Sequence, residues 1–322
     1  MAIPRAFLLK VGSGKVNSAW PFPRERSYID DLAAPKYREK GSKISQSTLF
    51  IAGTVLFPLA TSVACATLPA QVRQPLSAVQ IVDRMVQSEK TAWKDRQHFL
   101  YRKEEKSNRT KGHLWEELVV ETEDGPMERL IAEDGKPLSP TQERDEQKRI
   151  ANLAKHPGQF RRENQRRKDD ESRMPQLLEE LPRIYLFQNL GANGEYTRIA
   201  FQPNPSFQEK TYQDRVVHAM SGVMLIHTAD MRLRRLDVQL EHKVEFGFGL
   251  LGVVSDTTHF SLARKEVLPG YWEPTKIRVH LDGTILLMKS ISRDVESSQY
   301  GFELVPHDMT VAEAAGMVRS KP

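Results

Sequence analysis

Two hydrophobic periods divide the chain. From Ala78 to Trp93 apolar residues recur at helical spacing, at Ala78, Ile81, Val82, Met85, Val86, Ala92 and Trp93. Such a stripe buries one face of a helix. Ser77 and Gln80 form a capping box at its start, because each side chain can satisfy the other's backbone amide. The helix is predicted to end near Lys94. Beyond it the period falls to two. Phe99–Glu105, Leu114–Glu121 and Met127–Ala132 are predicted strands, separated by turns at Lys106–Gly112 and Asp124–Pro126. Ser139, with Pro140 at the first helical position, starts a second helix that runs to about Lys155 and stops before Pro157.

Residues 143–180 are dense in charge and show no strand period. They are predicted to be a helical insertion with a solvated face, pinned by Ile150, Leu153, Phe160, Leu177, Leu178 and Leu181. The other reading is a docking surface for a protein partner or an anionic lipid. Alternation returns at Ile184–Leu190 and Tyr196–Gln202. Further strands are predicted at Thr211–Ala219, Val223–His227 and Met231–Leu240, with turns at Ser221-Gly222 and Ala229-Asp230. Leu236, Val238 and Leu240 alternate with Asp237, Gln239 and Glu241, as in an antiparallel strand with one wet face. Asp282-Gly283 is a two-residue hairpin signal joining Thr275–Leu281 to Thr284–Ser292. Ile277 and Val279 share one face of the first of these strands. A strand at Gln299–Leu304 and a short helix after Val311 close the pattern.

Composition changes this picture in one respect. The 322 residues are 39% hydrophobic and 28% charged, ordinary values for a chain with a core. The net charge of +5 is not spread over them. Residues 1–66 hold nine of the 47 basic and four of the 42 acidic side chains, so the whole excess lies there and the remainder balances 38 against 38. The body has no basic field to draw a polyanion, and no nucleic-acid partner is expected. The single cysteine, Cys65, excludes an intrachain disulfide.

The leader is read as residues 1–43, a basic extension predicted to be disordered, followed by a signal peptide over 44–66. Lys43 precedes the apolar segment Leu49–Ala60, and Ala64-Cys65-Ala66 fits the small-x-small pattern of signal cleavage at Ala64 and Ala66. Pro58 interrupts a core already short for a membrane span. An uncleaved anchor and a buried helix are the competing readings. Cys65 leaves open a lipoprotein variant, although Ser62 stands where such a motif wants leucine. The expected location is therefore the periplasm or cell envelope, with peripheral or no membrane attachment. Residues 67–322 are expected to form one domain carrying the insertion 139–182.

Candidate chemistry is sparse. Gly247, Gly249 and Gly252 match the spacing of a dinucleotide-binding loop, which needs a strand before it and a helix after it. Here Val253–Phe260 reads as a strand, so the glycines are expected to bend a curved sheet, with Phe246 and Phe248 aimed at its interior. No cofactor is expected. The nine histidines show no metal-ligand spacing; His218, His227, His242, His259 and His280 are expected on polar strand faces. No Gly-x-Ser-x-Gly elbow occurs. No catalytic residue is assigned, and a non-enzymatic protein is expected.

Two phrases resemble a known group. Met220–Leu236 is similar to the turn, strand, acidic turn and basic-apolar strand of the LolA-like periplasmic proteins that sort outer-membrane lipoproteins. Gly270-Tyr-Trp-Glu-Pro274 resembles a turn of their relatives. The resemblance spans about residues 76–304, and the charged insertion departs from it. It implies an α+β fold in which a curved antiparallel sheet forms an incomplete, half-open barrel covered by N-terminal and inserted helices. It also implies a hydrophobic cavity for a lipid or lipoprotein acyl chain. The residues expected to line that cavity are Val223, Leu225, Leu236, Val238, Phe246, Phe248, Phe260, Trp272, Ile277 and Val279. Val82, Met85 and Val86 are the expected core of a lid helix. The alternative is an envelope interaction or sensing module that docks a partner on the charged insertion.

Overall fold

The computed structural model describes residues 76–246, 252–285 and 289–321. The first helix, α1 (Ala78–Lys94), has the expected capping box: Gln80 N donates to Ser77 Oγ at 3.2 Å and Ser77 N to Gln80 Oε1 at 2.9 Å. Four strands follow: β1 (His98–Ser107), β2 (Leu114–Val120), β3 (Met127–Glu133) and the two-residue β4 (Lys136–Pro137). The charged region folds into α2 (Pro140–Lys155), α3 (Pro157–Ser172) and α4 (Met174–Ile184). The remainder is β5 (Tyr185–Asn193), β6 (Tyr196–Pro203), α5 (Tyr212–His218), β7 (Met220–His227), β8 (Arg232–Leu240), β9 (Val244–Phe246), β10 (Gly252–Val254), β11 (His259–Leu268), β12 (Tyr271–Ile285), β13 (Lys289–Val305) and α6 (Val311–Ser320).

The strands make one antiparallel sheet, in the order β4-β3-β2-β1-β13-β12-β11-β8-β7-β6-β5, with the β9–β10 hairpin attached to the far end of β12. Most of it is a meander. The longest-range join is β1 against β13, with His98 opposite Val305 and Ser107 opposite Val295. Among the described residues β4 and β5 do not meet, so the sheet is open and not a closed barrel. The two edges are treated differently. Along β3, α2 covers the free backbone: Glu146 accepts from Leu130 N at 2.8 Å and Arg149 donates to Glu128 O. No described strand or helix pairs with the outer edge of β5.

Helices cover the sheet at its two ends. Leu100, Leu118, Val120 and Met127 pack with Ile150 and Leu153 of α2, Phe160 of α3, and Val311, Ala314 and Val318 of α6. At the other end Ile81, Val82, Met85 and Val86 of α1, with Ile184 of α4, pack on Ile199, Phe201, Met224, Ile226 and Leu233. The insertion is thus part of both cores. Of its six expected pins, Ile150, Leu153 and Phe160 are buried, Leu178 and Leu181 pack on the second cluster, and Leu177 stays exposed.

Three local expectations are corrected. Thr211–Ala219 is not a strand: Thr211 caps α5, accepting from Asp214 N at 3.0 Å while Asp214 takes the Thr211 amide. This closed capping box, with Val216 buried, overrides the β-branched Val216-Val217 pair. Ser221-Gly222 is not a turn but lies within β7. A Cβ at Gly222 would sit 2.0 Å from Asp237 O and 2.8 Å from the Phe201 ring, so glycine is there for close strand packing. Asp282-Gly283 likewise lies inside β12, paired with β13 on one side and β10 on the other. A Cβ at Gly283 would lie 2.4 Å from Val253 O. The chain reverses later, between Ile285 and Lys289.

Candidate functional site

Paired residues in a sheet share a face, and successive residues alternate between faces. One row therefore runs across the inner face from Ile199 through Met224, Leu236, Leu262, Ile277 and Ser297 to Glu105. A second runs from Phe201 through Gly222, Val238, Phe260, Val279 and Val295 to Ser107. Helix α1 covers the start of both rows. Their middle, where Phe260, Leu262 and Val279 pack with Leu236, Val238, Ile277 and Val295, is built from strand residues alone among the described residues. The first three are 7%, 1% and 3% exposed, and the other four only partly buried.

Both rows end in polar residues on β1, where a compact ion network begins. Lys103 Nζ lies 2.8 Å from Glu117, 2.9 Å from Glu128 and 3.4 Å from Glu105. The Arg109 guanidinium makes paired contacts to Glu105 and Glu117 at 2.8–3.1 Å. Arg167 of α3 approaches Glu128 at 3.6 Å. Burial alone would raise the Glu105 carboxyl, but Arg109, Lys103 and the Ser107 hydroxyl outweigh it and bring it to about 2. Burial opposes the charge on Lys103, yet its three carboxylates hold the ammonium above its ordinary value. The network has three basic and three acidic side chains and balances itself.

A second buried ion site fixes α1. Glu89 is 9% exposed, and its Oε1 accepts from Arg264 Nη1 at 2.8 Å, Leu233 N at 2.8 Å and Arg232 Nε at 3.1 Å. Burial would push this carboxyl up, but the two arginines and the amide leave it below its ordinary 4.5. Nearby, Glu121 accepts from Phe99 N at 3.0 Å. Among the described residues no cation pairs with it, and burial followed by the charge of Glu273 pushes it up to about 7. Burial also lifts Glu273.

The residues expected to line a cavity separate into groups. Leu236, Val238, Phe260, Ile277 and Val279 come together in the middle of the rows, and Leu262 and Val295 join them unanticipated. Val223 and Leu225 do not. They alternate with Gly222 and Met224 and lie on the outer face, opposite Asp237 and Arg235. Phe246 is buried elsewhere, packed with Val216, Met220 and Leu240 and edge-on to Tyr212 at 6.1 Å. Trp272 donates from Nε1 to Asp230 at 2.9 Å and sits against the His227 ring. Val82, Met85 and Val86 face the sheet and are at most 3% exposed. Phe248, Ala64, Cys65 and Ala66 lie outside the described residues.

Over β12 and β13 the outer face is wet and paired, as at Arg278–Glu296 (3.1 Å) and His280–Asp294 (2.6 Å). These pairs line an open cleft of about 690 Å³ with Lys106, Lys111 and His259. His259 and His280 stack at 5.2 Å, but no group of three or more His, Cys, Asp or Glu among the described residues could hold a metal. His218 is held by Glu209 and the Asn204 carbonyl, both at 2.8 Å, and His227 by Asp230 at 2.7 Å. The residues after Gly252 form strand β10 and no helix follows them, so the glycine triplet lacks the helix N-terminus a pyrophosphate needs. Among the described residues no helix is long and apolar enough to cross a membrane.

No protein-family model matches the chain, and neither does any curated protein or solved structure.

Proposed function

We propose that this is an exported cell-envelope protein that holds a lipid or lipoprotein acyl chain on the inner face of a half-open barrel, without catalysing a reaction. The observation that carries the reading is the middle of the two rows. Seven side chains from β8, β11, β12 and β13 form an apolar strip to which no described helix contributes, while the neighbouring apolar residues of β6 and β7 on the same face lie under α1. An apolar sheet face of this kind needs a cover. An acyl chain supplies one, and its burial is worth about 25 cal/mol per Å². The balanced ion network bounds the strip at the β1 end, where a chain would leave the apolar rows. The apolar segment Leu49–Ala60 and the small residues Ala64 and Ala66 support export.

Native mass spectrometry of the protein isolated from the envelope of its own cell tests this reading. A co-purifying acyl species, displaced by a fluorescent fatty acid, is the expected result. Phe260→Glu, which places a charge in the strip, should abolish uptake. A lipid-free protein that takes up no acyl probe would sink the proposal.

A further inference from the structure

One hydroxyl on the inner face specifies more about the ligand. Ser297 lies on β13 between Ile277 of β12 and Glu105 of β1, with Val295 two residues away on the same face. Its residue is 5% exposed, and its Oγ has no hydrogen-bond partner among the described residues. Burying a hydroxyl unpaired is costly, because it gives up its hydrogen bonds to water and gains none in return. Nearly all buried polar side chains in native proteins avoid that cost. Alanine at this site would fill almost the same space without it.

The position is as telling as the missing partner. Ser297 sits where the apolar row ends and the ion network begins. The charges beyond it are engaged with one another: Glu105 holds Arg109, Lys103 and Ser107 Oγ (2.6 Å), and Glu117 and Glu128 share Lys103. A charged head group would find no uncompensated opposite charge in that network. A hydroxyl at the end of an apolar strip instead suits a neutral acceptor attached directly to a hydrocarbon chain. We infer that Ser297 is a binding residue whose O–H donates to the carbonyl of an acyl ester, with the acyl tail lying over Ile277, Leu262 and Leu236. This rests on the acyl-chain reading above and narrows it to neutral esters.

The test uses two pyrene-labelled probes of equal length, a fatty acyl methyl ester and an alkane with no carbonyl, titrated into wild type and Ser297→Ala. Wild type should bind both and prefer the ester by about five- to tenfold, the worth of one hydrogen bond. Ser297→Ala should lose that preference by weakening the ester alone, and its ligand-free melting temperature should stay level or rise. A variant that keeps the preference, or weakens both probes equally, overturns the role of Ser297 and leaves the acyl-chain reading standing. Failure of wild type to bind either probe overturns both.

Discussion

Replacing Glu89 by alanine is expected to lower stability by about 3 kcal/mol. Glu89 ties α1 to the sheet through three donors that meet on one carboxylate oxygen, at 2.8, 2.8 and 3.1 Å. Removing one partner of a buried ion pair costs about 3–5 kcal/mol, because the other charge is left uncompensated. The lower end applies here. Arg264 keeps the Trp272 carbonyl at 2.6 Å and Arg232 keeps the Gly270 carbonyl at 3.2 Å, so neither guanidinium is stripped of all its acceptors. For a domain of this size about 3 kcal/mol corresponds to a fall in Tm of roughly 6–12 °C. Glu89→Gln keeps an acceptor for Leu233 N and should cost about half as much. The pH dependence supplies the sharper check. The folded carboxyl titrates below its ordinary 4.5, so its stabilisation is present above that value and is lost as pH falls through the lower, folded one. Thermal unfolding of wild type and Glu89→Ala, followed by circular dichroism, should therefore show the full gap at pH 7 and a narrowing gap below about pH 4. A gap under about 2 °C at pH 7, or one that persists unchanged to pH 3, would show that the carboxylate does not hold the helix. The same latch bears on any role of α1 as a lid, because opening it strands these charges.

Three further outcomes are expected. Glu121 keeps its proton in the folded chain up to about 7, while the unfolded chain ionises near 4.5, so wild type loses stability as pH rises across that window, by at most about 3 kcal/mol; urea midpoints at pH 5 and pH 8 should show Glu121→Gln with a flatter profile and the higher stability at pH 8. Lys103→Met leaves Glu105, Glu117 and Glu128 facing one another with Arg109 as their main counter-charge, and should cost about 3 kcal/mol or more in the same assay, whereas Lys148→Met, whose Lys148 side chain is 78% exposed, should change nothing measurable. Gly222→Ala drives a methyl group into the Asp237 carbonyl and should cost at least about 3 kcal/mol or yield insoluble chain; a variant as soluble and stable as wild type would mean that β7 and β8 can separate freely there.

What could be read from sequence was whatever is local. Helix α1 and the start of α2 carry their capping boxes and stripes in contiguous residues, and they form where expected. The start of α5 has the same box at Thr211 and Asp214, but Tyr212, Val216 and Val217 resemble a strand, and a short helix has no long stripe to contradict them. Gly222 and Gly283 were misread as turn residues for a different reason. The atoms that forbid a side chain there belong to Asp237 and Val253, on strands that nothing in the local pattern brings alongside. The apolar strip was partly legible, because Leu236 with Val238 and Ile277 with Val279 alternate visibly. Which face Val223 and Leu225 take depends on register, and register is a property of two strands. Lys103, Glu117 and Glu128 look like ordinary surface charges until three strands place them together. Glu89 looks like the polar face of α1 until Arg232 and Arg264 arrive from β8 and β11.

The pairing of β1 with β13 has a consequence in time. These strands are about two hundred residues apart in sequence, and among the described strands β1 to β3 reach the rest of the sheet only through β13. At about 5–20 residues per second of synthesis, β1 waits on the order of 10–40 s for its partner to be made. The meander from β5 to β12 can pair as it emerges, but the sheet cannot join its two halves until β13 is complete. A ribosome-bound chain of this design therefore keeps its two halves unjoined until synthesis is nearly complete. That delay leaves an open strand edge exposed to aggregation, and it also keeps the chain in a state that can be threaded across a membrane before it locks.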